Sequence, residues 1–457
     1  MEIYLIPLAE HSPGSKWIAR FKNSPFASRS SMDETTARTA YPLMISRFPL
    51  RSWVEIDADA FRHNLNVAQT RRAAEAALAS PVATAAAGNP FPSPAEPGTV
   101  AVAGVVKGNA YGHGIDLAVS ALAGKVDFFA VANLAEAALV HKNCEQLVNN
   151  RGISSQKPWR ERILLLGPTL PDERPWIVKE RFTPIVSTLE EARAYAALVR
   201  REPGKERFAV HLAVDTGMGR IGVWHEEALP VALAIREMPE LELEGVATHL
   251  PSADEDREGT LEELALWRAF LLRLKENGIS PRFCHAYNSA GTIGYGTETA
   301  DNGNLVRPGL MLYGISPLPG FQSLLRPVLT WKTRLTLIRD LPAGRSLSYG
   351  RTFVTPRPMR VATLGSGYAD GYFRQLSGTG AEVLIGGKRC PLLGRVTMDQ
   401  MLVDISKAPD AAAGDEAVLI GRQGDAEILA SELAEKAGTI PWHVFTAITA
   451  RVERVAK

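Results

Sequence analysis

The chain has 457 residues, 46% hydrophobic and 22% charged, which is ordinary globular usage with room for two or more domains. Lys plus Arg number 51 against 50 for Asp plus Glu, so no net field favours nucleic acid or an anionic membrane surface. No stretch approaches the roughly 20 apolar residues of a spanning helix. The three cysteines, Cys144, Cys284 and Cys390, lack metal-ligand spacing and are too few for a disulfide framework, which fits a reducing cytoplasm and no metal site.

Residues 1–50 show no sustained period and mix both charge signs with scattered Ser, Pro and Arg, and they read as a poorly ordered extension. Glu2, Glu10, Asp33 and Glu34 interrupt any basic amphipathic pattern, which disfavours a targeting peptide; Met32 and Met44 are alternative starts. Residues 54–57 read as extended, and 58–72 carry helical spacing through Phe61, Leu65 and Val67. Residues 79–98, rich in Ala, Pro, Gly and Ser, read as a surface insertion.

The apolar run 100–106 ends at Lys107, and small residues follow at once. That is a strand delivering an amine to a loop, where lost hydration lowers the amine pKa and frees it for nucleophilic or Schiff-base chemistry. A lone lysine in such a place is more often a snorkelling strand end. Seven further apolar runs follow, at 128–131, 163–166, 184–186, 208–214, 243–248, 282–286 and 304–307, with helical stretches such as 189–199 and 261–277 between them. Eight alternations over about 250 residues predict a (β/α)8 TIM-type barrel at 51–318. An open doubly wound sheet is disfavoured, because no Gly-x-Gly-x-x-Gly follows the first strand. After Pro317 the runs 330–339, 359–364, 382–385, 401–405 and 417–420 are β-rich, with one helix near 428–436. They predict a mainly β domain at 319–457.

Chemistry on such a barrel belongs to the C-terminal strand ends, which here carry Lys107, Asp215 with Arg220, His249, Asn288 with Ser289, and Arg307 with Gly309. The last two loops, Asn288-Ser289-Ala290-Gly291 and Arg307-Pro308-Gly309-Leu310, suit a phosphate. An amine beside a phosphate cup suggests pyridoxal 5'-phosphate. Taken singly, His249 reads as a hydrogen-bonded core histidine, Arg307 as a paired strand end and Ser289 as a turn residue. Their placement on one barrel face favours the functional reading.

Five motifs sharpen this: the run 106–114, Asp215-Thr216-Gly217-Met218-Gly219-Arg220-Ile221-Gly222, Ser348-Tyr349-Gly350-Arg351-Thr352, Gly367-Tyr368-Ala369-Asp370-Gly371 and Gly394-Arg395-Val396-Thr397-Met398-Asp399-Gln400. With them the chain from Trp53 to about Arg454, apart from insertions near 79–98 and 143–159, resembles the alanine racemases, fold-type III pyridoxal phosphate enzymes. The resemblance implies that Lys107 carries the cofactor, that His249 packs on its ring and that Arg307 faces the ring nitrogen. It implies a phosphate site from Tyr111, Ser289 and the backbone of Gly309 and Leu310. Arg220 and Met398 would contact the substrate carboxylate, His285 would link Arg307 to Tyr349, Asp399 would orient that tyrosine, and Tyr368 would line the entrance. Lys107 and Tyr349 would act as the two bases, in a cytoplasmic homodimer whose shared sites make D-alanine for cell wall.

The chain departs from the family pattern twice. Ala213 stands where many members carry a carbamylated lysine that steadies the arginine here numbered 220, and Ala450 where many place a phosphate-binding tyrosine. The first implies that Arg220 recruits chloride or water or adopts another pose, and the second one phosphate contact fewer. A serine-accepting or broad-specificity racemase is the alternative within the enzyme class. A decarboxylase of the same fold type is disfavoured by the motifs Ser348-Tyr349-Gly350 and Met398-Asp399-Gln400, and a non-catalytic pyridoxal phosphate carrier by retention of Tyr349, Asp399 and the whole second domain.

Overall fold

Alternation along one strand sets the architecture. In Ala101–Val105, which is buried throughout, Ala101, Ala103 and Val105 enter one apolar cluster while Val102 and the following Val106 enter another. Successive strand side chains point to opposite faces, so the first set faces inward and the second faces the helices. The inner cluster draws at least one residue from each of eight strands: Phe128, Leu164, Ile185, Ala213, Ala247, Phe283 and Leu305 join the alanines. Small alanines leave room for Phe128 and Phe283, which meet edge-to-face at 5.1 Å.

The computed structural model of the protein describes residues 3–7, 17–21, 49–78, 100–151, 162–202, 206–295 and 303–457. The eight strands are Ala101–Val105, Phe128–Val131, Ile163–Leu165, Thr183–Val186, Phe208–Asp215, Leu241–Ala247, Phe283–His285 and Leu305–Val306, all paired parallel. The ring closes between the last two through two backbone bonds, Asn304 N–H to Cys284 O at 3.0 Å and Arg307 N–H to Tyr287 O at 2.9 Å. This is the expected (β/α)8 arrangement.

A second sheet has the order 426–428, 416–423, 382–385, 388–393, 401–404, 359–364, 329–341, 52–56, 453–456, and strand 416–423 also pairs with 329–341. The mainly β second domain is therefore as expected. Its sheet also takes Ser52–Ile56, which pairs with Leu329–Leu341 and with Glu453–Ala456. From Ser52 the chain thus runs first through the second sheet, crosses to build the barrel, and returns. Beyond the expected helix, seen at Ala430–Ala437, a second one spans Pro441–Ala447 with proline in its first turn.

Within residues 1–50, Ile3–Pro7 and Trp17–Phe21 pair antiparallel as a unit of their own. The rest of the expected extension, to residue 48, and the insertion at 79–98 lie outside the described residues. Helix Leu134–Arg151 runs through the first part of the insertion expected near 143–159. Among the described residues no helix is long and apolar enough to cross a membrane.

The two sheets meet at the lysine loop. A Cβ on Gly112, at φ +79°, would lie 2.1 Å from Phe445 O in helix Pro441–Ala447, and Arg454 Nε donates to Gly112 O at 2.9 Å. Gly112→Ala should therefore destabilise the protein by roughly 1–3 kcal/mol through overlap and left-handed strain. Thermal unfolding checks this, and an unchanged melting temperature would contradict it.

Candidate active site

Inward parity runs to and past the strand ends, so Lys107 follows Val105, His249 follows Ala247 and Arg307 follows Leu305, while His285, the last residue of its strand, follows Phe283. A cavity of about 1290 Å³ at that end is lined by Lys107, Tyr111, Arg220, His249, Ser289, Arg307, Gly309 and Leu310, which the sequence nominated. It is also lined by Ile440, Trp442 and Thr446 from around the unanticipated helix.

Lys107 is set by an unusual backbone. Gly108, Asn109, Ala110 and Tyr111 all have φ between +51° and +64°, a left-handed turn costing about 1–2 kcal/mol for each non-glycine residue. It is held from three sides. Glu136 accepts from Gly108 N–H at 2.7 Å and Ala132 N–H at 2.9 Å, Asn109 Oδ1 accepts from Ile115 N–H at 2.9 Å, and Tyr313 Oη donates to Val105 O at 2.8 Å. Burial, and next the charge of Arg220, lower the Lys107 amine below its ordinary value, against the opposing pull of Glu136.

Arg307 is buried and has no direct carboxylate partner among the described residues. Its guanidinium donates to Thr248 O at 2.6 Å, His285 O at 2.7 Å, Ala286 O at 3.1 Å and His285 Nδ1 at 2.8 Å. Burial lowers it to about 10, so it stays charged at neutral pH. His249 Nδ1 lies 3.4 Å from Arg307 Nη2, and burial with that charge pushes the imidazole down to about 3.

At the phosphate-like end, Ser289 Oγ accepts from Gly309 N–H at 3.0 Å and Met311 N–H at 3.2 Å, which leaves the hydroxyl proton free to donate into the cavity. A Cβ on Gly309 would fall 2.5 Å from Tyr111 Oη. The absence of a side chain at Gly309 is what lets Tyr111 Oη lie this close to its backbone, whose N–H is engaged by Ser289. Burial raises the Tyr111 phenol to about 12, so it is a neutral donor. Ala213 lies in the inner cluster, and Arg220 is exposed on a loop held by Asp215 Oδ1, which accepts from Gly217 N–H at 3.0 Å and Gly219 N–H at 3.1 Å. No carboxylate among the described residues pairs with Arg220.

The other nominated residues are elsewhere. Tyr349 is 70% exposed, Met398 52% and Tyr368 39%, and none lines the chain's own cavity. They form one surface, because Ser348 Oγ donates to Arg395 O at 2.5 Å, Tyr368 N–H to Thr397 O at 3.0 Å and Ala369 N–H to Met398 O at 2.9 Å. One expected link is corrected. His285 binds Arg307 through Nδ1 and His211 through Nε2, at 2.8 Å each, so it has no nitrogen left for Tyr349; the histidine facing the cavity is His249. Asp399 Oδ1 pairs with Arg451 at 2.8 Å, and Arg451 also reaches Asp370 at 3.3 Å. Reading the sequence also missed Glu136, His211, Glu244 and Arg454. A histidine among apolar residues of a buried strand was the available signal for His211.

Family models for the alanine racemase N-terminal domain and C-terminal domain match residues 94–317 and 328–456. The chain is 37% identical over 408 residues to an alanine racemase of Carboxydothermus hydrogenoformans, covering 88% of this chain and 98% of that one. It is 40% identical over 355 residues to one of Symbiobacterium thermophilum, covering 77% and 89%. Among solved structures it is similar to the alanine racemase of Clostridium difficile 630, with a TM-score of 0.73, 29% identity and coverage of 90% and 97%. It is likewise similar to that of Bacillus anthracis with bound L-Ala-P, with a TM-score of 0.70, 32% identity and coverage of 90% and 96%.

If Arg220 lowers the Lys107 amine, Arg220→Gln should move the pH profile of Lys107 reductive methylation, read by mass spectrometry, to higher pH. An unmoved profile would contradict the electrostatic assignment.

Proposed function

The chain belongs to the alanine racemase family, and on that premise we propose that it interconverts L-alanine and D-alanine with pyridoxal 5'-phosphate as cofactor, supplying D-alanine for cell wall. The observation that carries the proposal is a cavity with one suitable base, Lys107, in a chain that displays its second candidate, Tyr349, on an exposed patch. Inverting a carbon needs a proton removed from one face and another delivered to the opposite face. The exposed patch with Tyr349, Met398 and Tyr368 would therefore meet the cavity of a second copy, in a head-to-tail homodimer with two shared sites.

The residues present fit the cofactor. The Gly309–Leu310 turn, the Ser289 hydroxyl and the Tyr111 phenol suit a phosphate, and the buried Arg307 guanidinium lacks a direct anionic partner among the described residues. His249 would pack on the ring. When bound, pyridoxal phosphate supplies an electron-withdrawing ring that acidifies the hydrogen on the substrate Cα. Lys107 then moves a proton at its Nζ on one face, favoured by its lowered pKa. Tyr349 of the second copy moves one at Oη on the other. Arg307 holds its proton rather than giving it up, which restrains the ring as an electron sink and disfavours transamination. His249, on the cavity wall 3.4 Å from Arg307, would carry the influence of that charge toward Tyr349. Arg220 binds the substrate carboxylate, Met398 arrives beside it with Tyr349, and Tyr368 lines the entrance.

We place the enzyme in the cytoplasm, with a barrel at 51–318, a β domain at 319–457 sharing the strand at 52–56, and an extension at 1–50. The unpaired Arg220 supports one alternative, a racemase that accepts serine or a broader range of amino acids.

Incubating the purified protein and cofactor with L-alanine, followed by chiral analysis, should give equal amounts of the two enantiomers, whose free energies are identical. Absence of D-alanine would overturn the proposal. Tyr349→Phe should lower kcat by roughly a hundredfold or more. Because Ala213 leaves Arg220 without a protein anion, rates should also change in chloride-free buffer; identical kinetics would argue against an anion there.

A further inference from the structure

Behind Arg307 a line of polar groups crosses the barrel core. A guanidinium only donates, so His285 Nδ1, 2.8 Å from Arg307 Nη1, is an acceptor and the imidazole carries its proton on Nε2. That Nε2 lies 2.8 Å from His211 Nδ1, which is therefore also an acceptor, so His211 carries its proton on Nε2 as well. His211 Nε2 is buried, has no close hydrogen-bond partner among the described residues, and faces Glu244 Oε2 at 3.5 Å, the far limit of a hydrogen bond. Glu244, itself buried, pairs with Arg162 and lies 3.9 Å from Arg282, and Arg162 stacks 4.1 Å over Phe128.

Two backbone features build this line. The pairing of Leu241–Ala247 with Phe208–Asp215 passes from Leu243 opposite Val210 to Gly245 opposite His211, so Glu244 is the extra residue of a β-bulge. Such a bulge redirects a side chain, and here it buries a carboxylate beside His211. A Cβ on Gly245 would lie 2.6 Å from His211 Nδ1, so only glycine lets that ring lie against the neighbouring strand.

We propose that His211 and Glu244 are positioning residues for the reaction: the Glu244 carboxylate, acting through His211, fixes His285 as the neutral Nε2–H tautomer, which holds Arg307 at the cavity floor. The inference rests on the racemase reading. Burial lowers His285 and His211, so both stay neutral, whereas His211 and Arg162 outweigh the opposing effect of burial on Glu244 and hold its carboxyl at about 2. Without that carboxylate nothing favours a proton on His211 Nε2. A proton on His211 Nδ1 would oppose the His285 Nε2–H, and flipping His285 would then set N–H against N–H at Arg307.

The test combines 15N NMR of histidine-labelled holoenzyme with kinetics and the absorption spectrum of the bound cofactor. The wild type should show His211 and His285 as neutral Nε2–H tautomers across neutral and mildly alkaline pH. Glu244→Gln and Gly245→Ala should mix the tautomers and shift the absorption band. Each should lower kcat on the order of tenfold, the lower end of what loss of an outer-shell partner of a functional histidine costs, with KM within about twofold. Glu244→Asp should retain most of the activity. An Nδ1–H tautomer or an imidazolium at either histidine in the wild type would overturn the proposal whether or not the variants fold. So would a folded Glu244→Gln enzyme with unchanged kcat and spectrum. An inactive wild type would instead sink the racemase reading and leave the tautomer result standing.

Discussion

The structure depends on one buried guanidinium. Arg307 stands at the seam where the last barrel strand meets the seventh, a junction with few backbone bonds, and it donates to carbonyls at Thr248, His285 and Ala286 from the two preceding strand ends. Hydrogen bonds from a charged donor are worth about 1.5–3 kcal/mol each, and without a direct carboxylate these carbonyls are its main compensation. The same contacts that close the barrel therefore fix the orientation of the group that closes the cavity floor.

The second constraint is the coupling of the two sheets around the lysine loop. Left-handed backbone at Asn109, Ala110 and Tyr111 would be unfavourable in isolation. It persists because Glu136 satisfies the loop from the barrel side, while Phe445 and Arg454 close on Gly112 from the other domain. The second domain thus supports the lysine of its own chain with one surface and exposes Tyr349 on another. That division is the physical reason for reading the site as completed by a second copy.

Much of this was legible in the sequence because a parallel barrel has simple grammar. Eight apolar runs gave eight strands, and inward parity carried Lys107, His249 and Arg307 beyond the ends of theirs and His285 to the end of its own. What the sequence hid was pairing. Residues 52–56 read as extended, but nothing local says that their partners are 329–341 and 453–456. The roles of His249 and His285 were equally hard to separate, since both stand at the ends of barrel strands; only the contact with His211 shows which imidazole is fully engaged. The bulge at Glu244 leaves no mark on composition, because one extra residue matters only against the register of the neighbouring strand.

The central claim is that one active site takes Lys107 from one chain and Tyr349 from another. The most direct measurement mixes inactive Lys107→Ala and Tyr349→Phe proteins in equal amounts, allows subunit exchange and assays racemisation. Half the dimers would be mixed, each with one intact site and one doubly altered site, so the account predicts recovery of about a quarter of wild-type activity. No recovery after demonstrated exchange would contradict it.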